Sequence, residues 1–200
     1  MRVLNKMLKQ VQIGSFLLLL MTGAAARAQA VAEGMPTVIY LMRHAEKPMV
    51  EKDPNLAPQG FKRAQALPSL FVAMPGRTTM PPLLRPDFIF ATAPSKNSNR
   101  PIETITPLAQ LLHEKIDGDY QDIEAGPLAK EVLGGKYAGK VVVICWHHGE
   151  IPNVAKALGV ADAPKKWDPD VFDQIWKIEY VDGHAQMSVL QEHLLPGDAQ

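Results

Sequence analysis

Cysteine is nearly absent from the chain. Cys145 is the only one in 200 residues, so no disulfide can form within it and the fold must rest on an apolar core. That thiol lies inside Val141-Val142-Val143-Ile144-Cys145-Trp146, where it reads as a core residue and not as a nucleophile. Net charge is also missing: Lys plus Arg and Asp plus Glu each number 21. There is no internal repeat and no low-complexity tract, which excludes a repeat architecture. The apolar run through Leu17–Leu20 is too short, and too rich in Ala and Gly at its end, for a transmembrane helix.

What the N-terminus does have is an export pattern. Arg2, Lys6 and Lys9 precede the apolar run, and Ala28-Gln29-Ala30 fits a small-residue cleavage site. No cysteine stands near that site, which argues against a lipid anchor. The reading is a signal peptide over 1–30 and a mature domain over 31–200, periplasmic or secreted, without stable membrane insertion. Cleavage removes Arg2, Lys6, Lys9 and Arg27 and no acid, leaving 17 basic against 21 acidic side chains. That balance argues against a nucleic-acid partner, and any anion site must be local. Nothing in the pattern indicates an oligomeric state.

The mature segment alternates strand and helix. Thr37–Met42 is a continuous β-branched and apolar run, as expected of a strand buried on both faces. Residues 47–58 read as loop. The pattern predicts a helix over 58–71, kinked or ended early by Pro68. A loop over 75–86, a strand over 88–91, a polar turn over 93–99 and a helix over 101–113 follow. A short strand over 117–120, a helix over 128–133, a strand over 140–146 and a helix over 152–158 come next. Asp182-Gly183 then joins two strands, 174–181 and 185–190, as a hairpin. The fold class is α/β, a mostly parallel central sheet with helices on both faces and a C-terminal β-hairpin. Such sheets bind ligands beyond the carboxyl ends of their strands.

Polar clusters fall at those ends. Arg43-His44-Ala45-Glu46 follows the first strand, Ser95–Arg100 the second, and His147-His148-Gly149-Glu150 the strand over 140–146. Asp122 and Glu124 follow the short strand. Arginine forks onto phosphate oxygens, helix N-termini offer free N–H groups, neutral imidazole is a nucleophile, and a carboxylic acid protonates a leaving oxygen. This set suffices for phosphoryl transfer through a phosphohistidine without a metal. The adjacent histidines lack the spacing of metal ligands.

Taken together, Arg43-His44-Ala45, Leu56-Ala57-Pro58-Gln59-Gly60, Arg100 with Thr104, and His148-Gly149 resemble the histidine phosphatase superfamily, the phosphoglycerate-mutase-like group. The likeness runs from about 37 to 158. Ala45 stands for the usual Gly and Ala57 for Thr. The resemblance implies a phosphomonoester hydrolase with no cofactor, acting on a small phosphorylated substrate. His44 would be the nucleophile, and Arg43, Arg100 and His148 would hold the phosphoryl oxygens. His148 is chosen over His147 for the Gly that follows it. Glu124 is the candidate acid, with Asp122 and Glu150 behind it. The alternative is a catalytically degenerate binder of a phosphorylated ligand on the same fold.

Overall fold

Alternate residues of the first strand, β1 (Val38–Arg43), face opposite sides of a sheet, and all six are buried. Ile39 and Leu41 join one core, Val38, Tyr40 and Met42 the other. Apolar residues in both phases are what a central strand needs. The computed structural model describes residues 34–49, 52–73 and 83–198. The signal peptide read over 1–30 lies outside them, as does most of the loop over 75–86.

After β1 come α1 (Pro58–Ala66), with a 3-10 turn over Leu67–Leu70, β2 (Phe88–Ala91) and α2 (Arg100–Leu112). Then follow β3 (Ile116–Asp117), α3 (Ala125–Val132), β4 (Val141–Trp146), α4 (Ile151–Ala157), β5 (Gln174–Val181) and β6 (His184–Gln191). The six strands lie in the order β3-β2-β4-β1-β5-β6. The β3–β2, β2–β4 and β4–β1 pairs are parallel, while β1–β5 and β5–β6 are antiparallel. Helices α3 and α4 cover one face; α2 and the 3-10 turn cover the other.

Pro68 ends the first helix early, as the sequence indicates. Two elements differ from expectation. β3 stops at Asp117, whose Oδ1 accepts the Asp119 amide at 3.2 Å and turns the chain. α3 begins at Ala125, since Pro127 is harmless in a first turn and the Leu128 amide already reaches the Glu124 carbonyl at 3.1 Å.

Candidate active site

The parallel register brings the ends of β1 and β4 side by side. Arg43 pairs with Trp146, and the His44 amide donates to the Trp146 carbonyl at 3.0 Å. The next amide, of Ala45, donates to Thr104 Oγ1 at 2.9 Å, and that hydroxyl donates to the Arg100 carbonyl at 2.8 Å. One hydroxyl therefore ties the loop after β1 to the first turn of α2. Behind the loop, a Cβ at Gly60 would collide with the Glu46 carbonyl, so α1 can approach only because that residue is glycine.

His44 is 2% exposed. Burial, opposed by the Ala45 hydrogen bond but reinforced by charge at His147, Arg43 and Arg100, pushes its pKa down to about 2. The ring is thus neutral at neutral pH. Its Nδ1 lies 2.7 Å from the Ala45 carbonyl. A carbonyl can only accept, so Nδ1 carries the proton and Nε2 keeps its lone pair.

Arg43 is also 2% exposed. Its Nη1 donates to the carbonyls of Pro169 at 2.6 Å and Val171 at 3.0 Å, while its Nε and Nη2 are buried without a partner. Burial, partly opposed by Asp170 and Glu46, lowers its pKa to about 10, so it remains charged. Arg100 opens α2, donates from Nη1 to the Asp53 carbonyl at 2.9 Å, and leaves a buried Nε unpartnered. A buried N–H without a partner marks a place built for an acceptor.

Of the two adjacent histidines, the structure sets His147 against His44, with ring centroids 5.3 Å apart in an edge-on contact. The register accounts for this contact: His44 and His147 are each the first residue beyond the Arg43–Trp146 pair. His147 Nε2 lies 3.0 Å from Ser98 Oγ. Its Nδ1 lies 3.1 Å from Asp122 Oδ1, a close approach without hydrogen-bond alignment. His148 has a buried, unpartnered Nδ1; its pKa is lowered first by burial and then by Arg43 and Lys47.

The carboxylates also rearrange. Glu124 Oε2 accepts the Gln121 amide at 2.7 Å and so closes its own turn. Glu150 is engaged with Asn153 at 2.7 Å on the surface. Asp122 is the acid beside a site histidine, and the Trp146 indole anchors its backbone carbonyl at 2.9 Å. Asp122 was the second choice in sequence; the segment Pro169–Phe172, which touches Arg43, was missed because no motif or periodicity marks it.

Two cavities flank these residues. One of about 290 Å³ is lined by Lys47, Lys52, Asn97 and Arg100 with Pro48, Met49 and Asp53. The other, about 400 Å³, includes Glu46, Arg63, Asp170, Phe172, Asp173 and Asp198. Arg63 is 5% exposed and meets Asp198 at 2.7 Å, Glu46 at 2.8 Å and Glu192 at 3.2 Å. Burial opposes its charge, but the hydrogen bonds it donates to Asp198 and Glu46 outweigh it and hold its pKa above the usual value. Glu192 is fully buried, and desolvation prevails over Arg63, lifting its pKa to about 8. Among the described residues no group of three His, Cys, Asp or Glu is placed to hold a metal, and no helix is long and apolar enough to cross a membrane. Cys145 is buried and its pKa is raised by desolvation, as a core thiol's should be.

No family model matches the sequence, and no curated protein matches it. Solved structures do. The phosphoserine phosphatase of Entamoeba histolytica, in complex with 3-phosphoglyceric acid, matches with a TM-score of 0.54 at 14% identity, over 79% of this chain and 99% of that one. A phosphoglycerate mutase of Bacillus anthracis str. Sterne matches with a TM-score of 0.52 at 12% identity, over 80% and 94%. A mycobacterial glucosyl-3-phosphoglycerate phosphatase, in complex with inorganic phosphate, matches with a TM-score of 0.51 at 11% identity, over 78% and 97%. At these identities the likeness is one of fold: the chain has the phosphoglycerate-mutase-like α/β fold that these three structures share.

Proposed function

We propose that this chain is an exported, metal-independent phosphomonoesterase working through a phosphohistidine on His44. The observation that carries the reading is a neutral imidazole whose Nδ1 is tied to the Ala45 carbonyl, beside an arginine with two buried N–H groups lacking acceptors. Nε2 of His44 attacks phosphorus as the ester P–O bond breaks, and the leaving oxygen takes a proton. Arg43 and Arg100 bear the phosphoryl oxygens, and His147, facing His44, donates to the charge that develops. Asp122, beside His147, replaces Glu124 as the proton donor. Water then attacks phosphorus and gives a proton back to the Asp122 carboxylate, the N–P bond breaks, and phosphate leaves with His44 neutral again. The substrate is a small phosphorylated molecule, met outside the cytoplasm after cleavage at about residue 30.

A panel of phosphate esters with trapping of the acid-labile phosphoenzyme tests this. Wild type should hydrolyse some esters and form the adduct; His44→Ala should do neither. Undiminished hydrolysis by His44→Ala would refute the reading. Phosphate binding by wild type with no hydrolysis across the panel would instead favour a binder without turnover.

A further inference from the structure

The element that orients Arg43 comes from far along the chain. Its Nη1 is fixed by two carbonyls, of Pro169 and Val171, and the Phe172 ring lies 3.8 Å from the guanidinium carbon. The Val171 carbonyl is itself held, because the Trp167 indole donates to it at 2.9 Å. Trp167 in turn packs on Trp176 of β5, with ring centroids 5.0 Å apart. A planar cation with one nitrogen doubly bonded and one face on a ring cannot swing freely. The edge left over is that of Nε and Nη2, both buried and both unpartnered. Those two N–H groups run parallel and match two oxygens of a tetrahedral anion.

The geometry points to Phe172 as a positioning residue that, with the Pro169 and Val171 carbonyls, presents the Nε–Nη2 edge of Arg43 to the phosphoryl group. The inference rests on the phosphatase reading above. Point charge alone would need no such clamp; forked recognition does, since its strength depends on the plane of the guanidinium. Phe172 lies half-buried beside the nucleophile as well, its ring 6.4 Å from that of His44.

Phe172→Leu and Phe172→Tyr separate orientation from simple filling of space. Leucine keeps apolar bulk without a π face, whereas tyrosine keeps the face. Two measurements suit them: calorimetric affinity for inorganic phosphate, and kcat/KM on an aryl phosphate. Phe172→Leu should weaken phosphate and lower kcat/KM, each by roughly tenfold, and Phe172→Tyr should stay within about twofold of wild type. Wild-type values for Phe172→Leu would overturn the clamp and leave the phosphatase reading standing. A wild type that binds phosphate but hydrolyses nothing removes that reading, and the affinities still decide the clamp. Absence of phosphate binding by wild type overturns both.

Discussion

Replacing Thr104 by valine changes one atom's chemistry and almost none of its shape. Thr104 is 3% exposed, and its hydroxyl accepts from the Ala45 amide and donates to the Arg100 carbonyl. In Thr104→Val the methyl that replaces the hydroxyl faces both groups. The Arg100 carbonyl, at the first residue of α2, loses a donor. The Ala45 amide loses its acceptor in a residue with no exposed surface. A buried donor left without a partner costs about 1–3 kcal/mol, so a loss of about 2 kcal/mol is expected. For a domain this size that lowers Tm by about 4–8 °C. Thr104→Ser is the control: it keeps the hydroxyl and gives up one methyl, at about 0.8 kcal/mol. Urea denaturation of the two variants beside wild type measures both. Serine should be the milder change. A valine variant as stable as wild type, with the serine variant below it, would refute the assignment of this hydroxyl as the tie between the His44 loop and α2.

The two histidines after β4 should behave differently. His147→Ala is expected to lower kcat by about a hundredfold or more, and His148→Ala by less than about tenfold, in steady-state ester hydrolysis; the opposite order would return the role to His148. Glu192 should make stability depend on pH. Its folded pKa, about 8, lies above the unfolded carboxyl value, so its contribution is full below about pH 4.5 and is lost as pH rises through about 8. Glu192→Gln keeps the shape without titrating. Its Tm relative to wild type should therefore climb between about pH 5 and about pH 9, and parallel Tm curves would show that Glu192 is not protonated in the fold.

Much of the architecture was legible because burial on two faces leaves a plain trace. β1 and β4 are apolar in both phases, and Asp182-Gly183 marks the turn where Asp182 takes a positive φ of 50°. Pro68 marked the end of α1 for a stereochemical reason. β3 was misplaced because two residues at a sheet edge carry no periodicity. At the site, Arg43, His44 and Arg100 could be placed by counting to strand ends and helix starts. That His147 is the one in ring contact with His44 follows from the lateral register of β1 on β4, which the Gly149 beside His148 does not encode. No sequence mark announces that the Glu124 carboxylate accepts the Gln121 amide and closes its own turn. The anchoring of Arg43 by Pro169 and Val171 was illegible, since backbone carbonyls have no sequence signature.

The central place of β1 between β4 and β5 has a consequence for how the chain is made. β1 is among the first parts of the domain to be synthesised, yet its partners begin at Val141 and Gln174. Arg63 likewise waits for Glu192 and Asp198. Until those residues emerge, the strand that carries His44 has no neighbour on either side. Native structure therefore closes late and through distant contacts, which favours slow folding. A nascent chain of this topology stays open for most of its synthesis, and that is the state a translocation channel or a chaperone can hold.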